Sequence, residues 1–259
     1  MTQVIAIDWS GRKKGAAEAI WLARVVDGKI IDLENGRDRQ AVIDKAIELA
    51  GRDLDTVVGL DFAFAFPAWY SKRRGWTSGR AVWEAMREHA DVLIEACEPP
   101  FWGRPGTKAQ QLGDPYRETE KALATRPKSV FQIGGAGAVD TGSLRGMRHL
   151  LDFSDAGFAI WPFDDPGWPL VVEIYPRLFA NGVVKSRHRS RRDYLATRFP
   201  DQPEPLRERA AGSEDSFDAT VSALTMSRHI GDLEALPRVE SGDGRRIEGA
   251  IWTPMEAFG

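Results

Sequence analysis

Three acidic side chains end apolar runs in this sequence: Asp8 after VIAI, Asp61 after VVGL and Glu173 after LVV. A carboxylate in an apolar frame is costly unless a cation or hydrogen-bond donors meet it, and buried carboxylates raise one another's pKa. One such acid is ordinarily a strand-end residue bonded to a neighbouring loop; three in one chain ask for a shared partner. Two more, Asp215 and Asp218 in SEDSFDATVSAL, are three residues apart. On a helix they share a face with Ser222 and Thr225, separated by about 4.5 Å along the axis. Their plain alternative is local: Ser213 caps the helix and first-turn acids complement its dipole. Taken together, the acids suit a hard cation, because oxygen-only ligands select magnesium or manganese whereas zinc wants histidine or cysteine. Two divalent ions so held clamp the attacking and leaving oxygens of a phosphoryl transfer, which is the chemistry of phosphodiester hydrolysis by activated water.

Basic and glycine-rich segments add possible phosphate contacts. KSRHRSRR (185–192) places five cations and a histidine in eight positions, and SKRRGW (71–76) is a smaller cluster beside Tyr70 and Trp76. Bases interleaved with aromatics suit backbone-level nucleic-acid contact, and a solvated loop is the competing reading. Ser10, Lys185, Arg187, Arg189 and Arg145 are the candidate contacts. QIGGAGAVDTGSLRG (132–146) offers amides, Thr141, Ser143 and Arg145 ahead of a helix. It matches neither a P-loop nor a dinucleotide fingerprint, so a structural turn is favoured over an anion site. The histidines His89, His149, His188 and His229 have no paired spacing and read as surface or packing residues. Of the tryptophans, Trp69, Trp76 and Trp83 read as core, and Trp102 on the loop PPFWGRPG as substrate-facing.

The elements that must position these residues follow from periodicity. VIAIDW is an apolar strand, and EAIWLARVV and KIIDLEN are strands joined by the turn Asp27-Gly28. RQAVIDKAIELAGR has helical spacing through Val42, Ile43, Ala46, Ile47 and Ala50, and TVVGLDFAFAF is the next strand. RAVWEAMREHADVLIEACE is an amphipathic helix with YRETEKALATR as a possible partner, and a Gly/Pro loop lies between them. SVFQI reads as a short strand before a glycine turn and helix; FAIWPF and LVVEIYPRLF read as strands. KSRHRSRRDYLATRF turns helical towards its end, SEDSFDATVSALTMSRHI is a helix, and GDGRRIEGAIWTP reads as a hairpin or edge strand. In SEDSFDATVSALTMSRHI the stripe Phe217, Val221 and Leu224 should pack on the sheet. The pattern is α/β with a mixed sheet, read as one domain over residues 1–259 with a largely helical insertion at about 67–128.

Composition bounds the rest. With 42% hydrophobic and 28% charged residues the chain has ordinary globular content, and a net charge of −3 argues against coating nucleic acid by bulk charge. The single cysteine, Cys97, excludes an internal disulfide and reads as a buried inert thiol. No signal peptide is visible and no apolar run nears the roughly 20 residues of a membrane span, so a cytoplasmic location is the expectation.

IAIDWSG, GLDFAFAFP, VVEIYPRLF and SFDATVSALTM, in that order, resemble the family described as predicted RNase H-like nucleases (domain of unknown function 429) over most of the chain. The order of a strand acid, a hairpin, a helix, a second strand acid and a late helix with D-x-x-D-A is also similar to the RuvC-type branch of the ribonuclease H fold. The resemblance implies a ribonuclease H-like mixed sheet with the insertion after its fourth strand, Asp8 on the first strand and Asp61 on the fourth. It places Glu173 on a later strand and Asp215 with Asp218 on the C-terminal helix. The expected activity is a metal-dependent nuclease with Mg2+ or Mn2+ and nucleic acid as substrate. Asp8, Asp61, Glu173 and Asp218 form its catalytic set, and Asp8, Asp61, Asp215 and Asp218 its metal set. The same superfamily holds ATP-binding phosphotransferases, which makes a nucleotide-binding phosphotransferase or ATPase the alternative, beside a catalytically inactive nucleic-acid-binding protein.

Overall fold

A strand buried on both faces must be apolar at successive positions, and β1 (Thr2–Asp8) meets that condition. Ile5 and Ile7 enter the core on one face of the sheet, while Val4 and Ala6 enter the core on the other. The computed structural model describes residues 1–51, 55–110, 112–134 and 140–255. In chain order β1 is followed by α1 (Ala16–Ala19), the hairpin β2 (Trp21–Val26) and β3 (Lys29–Glu34), α2 (Arg39–Ala50) and β4 (Asp55–Leu60). Next come α3 (Ala68–Arg73), α4 (Gly79–Ala96), α5 (Glu118–Lys121), α6 (Asp140–Gly146) and α7 (His149–Asp155). Strands β5 (Ala159–Ile160) and β6 (Leu170–Glu173) lead to α8 (His188–Arg198), α9 (Glu204–Ala211), α10 (Glu214–Arg228), α11 (Ile230–Glu234) and α12 (Arg245–Glu248).

The sheet is mixed, with spatial order β3-β2-β1-β4-β6-β5. β2 runs antiparallel to β1 and β3, and β4 runs parallel to β1 and β6. The hairpin turn has positive φ at both Asp27 (46°) and Gly28 (78°), the geometry that matches the twist of the flanking strands. Helices α2 and α7 cover one face and α4 packs on α6 and α7, with Val42, Ile43, Ala46, Trp83 and Met86 in the core. On the other face α10 lies across β1 and β2, with Phe217, Val221 and Leu224 fully buried as their spacing predicts.

Several expected elements are shorter than their apolar patterns. FAIWPF yields only Ala159–Ile160, because Pro162 has no N–H for a ladder. Strand β6 stops at Glu173, and Pro176 opens a 3-10 turn over Pro176–Leu178. YRETEKALATR gives the single turn α5, since Arg117 is drawn into a buried ion-pair network instead of lying along a helix face. SVFQI contributes an isolated bridge between Gln132 and Trp102. The terminal segment, expected as a hairpin or edge strand, forms no hairpin: α12 is followed by a parallel bridge from Ile251 to Glu173, with Trp252 N donating to Glu173 O at 2.8 Å. That segment pairs with the end of β6, which the two-residue β5 leaves uncovered.

The segment between β4 and β5 is fastened to the sheet by Arg117, which is 1% exposed. Its guanidinium donates to both oxygens of Glu173 (2.8 and 2.5 Å) and to Glu120 (2.9 Å), and reaches the Glu248 carbonyl (3.0 Å). Removing one partner from a buried pair leaves an uncompensated charge, at a cost of about 3–5 kcal/mol. Arg117→Met is therefore expected to lower the unfolding free energy by about that amount in urea titrations. Lys29→Met, which removes an exposed pair with Asp201, changes it far less.

Candidate functional site

Parallel pairing sets Ile7 beside Leu60, and Asp61 N donates to Ile7 O at 3.2 Å. Asp8 ends β1 and Asp61 follows β4, so both stand at the carboxyl edge of neighbouring parallel strands, where open α/β sheets leave a crevice. The third acid comes from α10. A Cβ on Gly59 would sit 2.6 Å from Met226 Sδ and 3.1 Å from Ile174 Cδ1, so helix and sheet approach closely there. Ser213 caps α10 by accepting from Ser216 N at 2.9 Å. The helix start is thereby held over the strand ends, with Asp215 and Asp218 both partly exposed.

Asp8, Asp61, Asp215 and Asp218 share one electrostatic environment. Burial pushes Asp8 well above the usual carboxylate range, helped by Asp61, Asp218 and Asp215 and opposed by Lys185. Burial and then Asp218 raise Asp61 to about 8. Asp218 is raised by burial, against the nearby Lys185, and Asp215 by burial, against Arg12. Among the described residues no donor is hydrogen-bonded to the carboxylate of Asp8 or Asp61. Lys185 Nζ lies 2.7 Å from each carboxylate oxygen of Asp218, donating to Oδ2, while the buried Oδ1 receives no aligned hydrogen bond. One ammonium thus faces a group of carboxylates that outnumber it.

The other expected site residues have different surroundings. Glu173 is not an open ligand: Arg117 occupies both its oxygens and Phe64 N donates to Oε2 at 3.0 Å. It lies behind Asp61 and contributes to the rise of that residue's pKa. Lys185, expected on a phosphate, is held by Asp218. Of the remaining basic run, Arg191 is buried on the carbonyls of Ala211, Gly212 and Lys185, whereas Arg187 and Arg189 are exposed. Ser10 is buried, and its hydroxyl accepts from Arg12 N at 3.3 Å. Arg145 holds the Gly11 carbonyl and Asp91, Thr141 donates to Gly11 O, and Ser143 accepts from Ala63 N. These groups of the glycine-rich segment brace the site's loops, and residues 135–139 of that segment lie outside the described residues. Trp102, read as substrate-facing, is partly buried against the core. His149 packs edge-on against Trp9 and bonds Asp152, and Cys97 is buried, both as expected.

Two residues enter the site without a sequence expectation. Tyr175 lines a cavity of about 90 Å³ with Asp61, Ser143 and Glu173, and burial together with Asp61 and Asp218 keeps its phenol neutral to higher pH despite Arg177. Arg117, which lines the same cavity, was foreshadowed only by the need of Glu173 for a cation.

The carboxylates fit a hard cation in donor chemistry, with an ammonium standing in for it and a buried oxygen left without an aligned donor. Among the described residues, no three acidic, imidazole or thiol groups converge tightly enough to coordinate one ion as they stand. A folded-state pKa of about 8 for Asp61 against an ordinary 3.8 means that the folded chain holds a proton which the unfolded chain has lost. Stability therefore falls as pH rises from near 4 to near 8. In metal-free buffer Asp61→Asn should flatten that decline in the thermal midpoint, raising it at pH 8–9 and leaving it nearly unchanged near pH 4. An equal slope in both proteins would contradict the electrostatic assignment.

Set against protein-family models, curated proteins and solved structures, the chain matches none of them.

Proposed function

We propose that the chain is a divalent-metal-dependent nuclease that hydrolyses phosphodiester bonds of nucleic acid, with Asp8, Asp61 and Asp218 as the ligands of Mg2+ or Mn2+. The observation that carries this reading is that these three aspartates, at the ends of β1 and β4 and on α10, lie near enough to feel one another's charge, with burial and neighbouring acids raising the pKa of each. Residues burdened in this way cluster at functional sites. The strand order, the antiparallel β2 and the placement of acids support the resemblance to ribonuclease H-like proteins.

A bound divalent ion would supply Lewis acidity and a more acidic water at the scissile phosphate. The chain's own groups do the remainder. Lys185 balances Asp218 and would have to give way for Asp218 to hold such an ion. Asp215, partly exposed at the cleft and opposed by Arg12, takes the base role that Glu173, tied to Arg117, does not fill. Burial raises its pKa and makes it a stronger proton acceptor than an exposed aspartate. Arg12, exposed and with its charge felt by Asp215, would be available to a neighbouring phosphate oxygen.

Incubation with single-stranded, duplex and branched nucleic acid in Mn2+ should give cleavage that Asp8→Asn reduces by more than about 100-fold, beyond the cost of outer-shell changes. Calorimetry should show Mn2+ binding that Asp8→Asn weakens and Lys185→Met strengthens, because the competing ammonium is gone. Absence of cleavage and of Mn2+ binding in the wild type would reject the assignment.

A further inference from the structure

A second charged feature lies on the α2–α4 side of the sheet. A pocket of about 440 Å³ opens between the start of α2, the middle of α4 and the junction of α6 with α7. Five cations line it: Lys13, Arg39, Arg87, Arg145 and Arg148. Three acids line it as well, Asp38, Glu88 and Asp91, and Lys13 pairs with Glu95 at 3.0 Å. Asp38 accepts from Ala41 N at 2.9 Å as the cap of α2, and Asp91 pairs with Arg145 at 2.8 Å. Among the described residues, Arg39, Arg87 and Arg148 have no ion-pair partner. Arg39 is partly buried, and burial and then Arg145 make its charge harder to keep. Guanidiniums that outnumber the carboxylates beside them attract an anion, and their planar forks suit phosphate oxygens.

The pocket is joined to the acidic cleft by one loop. Arg39 donates to the carbonyls of Ser10 (2.8 Å) and Arg12 (2.6 Å), and Arg145 donates to that of Gly11. On the other side of the same loop, Asp8 ends β1 and the Arg12 charge is felt by Asp215. A chain of phosphates crossing residues 10–13 therefore meets acids at one end and guanidiniums at the other.

We propose that this pocket is a docking site for the sugar–phosphate backbone of a nucleic-acid strand, holding phosphates that flank the bond in the acidic cleft. The assignment of the strand rests on the nuclease reading; the anion preference rests on the pocket itself. Arg87 and Arg148 supply the exposed contacts, and Arg39 and Arg145 hold the loop while presenting the floor. Contacts of this type set register and affinity without reading sequence.

Fluorescence anisotropy of a labelled single-stranded oligonucleotide, in EDTA so that nothing is cleaved, tests the site across a salt series. Arg87→Glu with Arg148→Glu should weaken binding by at least tenfold. Each lost phosphate contact should also make the log–log salt slope shallower by about 0.7. Arg238→Glu, a single reversal outside the pocket, should cost much less than either Arg87→Glu or Arg148→Glu alone, which match it in charge, and circular dichroism checks that all variants are folded. Equal losses in the pocket variant and in Arg238→Glu, or an unchanged slope, would overturn the proposal even if Mn2+-dependent cleavage is intact. A pocket-dependent loss of binding in a chain that cleaves nothing with Mn2+ would keep the docking site and reject the nuclease. Failure of the wild type to bind any oligonucleotide, with pyrophosphate bound through Arg148, would replace the strand by a small phosphate ligand and overturn the proposal as stated.

Discussion

Negative charge crowded at the carboxyl edge of β1 and β4 is the constraint around which this chain is arranged. Parallel pairing leaves two adjacent strands ending side by side, so acids following both strands must lie close together. α10 then brings a third and fourth acid over the same edge. Gly59 admits that helix by giving up its side chain where Met226 crosses the strand. Each element is locally stable for ordinary reasons: apolar strands buried on both faces, and a capped helix with an apolar stripe. Their sum is a cluster whose charged form the fold opposes.

The chain shows two ways of housing an acid at a strand end, and the contrast separates architecture from chemistry. Glu173 is satisfied: Arg117 meets both oxygens and an amide adds a third bond. Such a group is a fastener, and its charge is spent on holding the segment between β4 and β5 to the sheet. Asp8 and Asp61 have no comparable partners among the described residues, and Asp218 has a single lysine. A folded chain that builds a complete cage for one carboxylate could do the same for its neighbours. Left without such a cage, their carboxyls keep a proton to higher pH.

Much of this was legible in the sequence because it depends on periodicity and on residue type. The acids at the ends of VIAI and VVGL, the Asp27-Gly28 turn and the stripe Phe217, Val221, Leu224 all follow from spacing alone. Partnership was not legible. That Lys185 turns inward to Asp218 while Arg187 and Arg189 stay outside depends on how the loop after β6 returns to α10, and a run of bases gives no sign of which will be drawn in. Arg117 was hidden for the same reason, since a buried arginine in a loop becomes visible only when its acid is placed in space. Short strands were overestimated wherever proline or an ion-pair network intercepted an apolar run, as at Pro162 and Pro176.

The loop after β1 ties these levels together. A Cβ on Gly11 would stand 2.2 Å from Gly142 N and 2.7 Å from Thr141 C, which are backbone atoms with little freedom to yield. Glycine there allows the loop to press on the start of α6, where Trp9 Nε1 donates to Gly142 O at 3.0 Å and Thr141 donates to Gly11 O. Ser143 in turn accepts from Ala63 N, two residues beyond Asp61. The loops bearing Asp8 and Asp61 are thus braced by one short helix, and the carbonyls turned outward between them are taken by Arg39 and Arg145. Because the same peptide units fix the acids on one side and the guanidiniums on the other, the spacing between negative and positive ends is a property of the backbone.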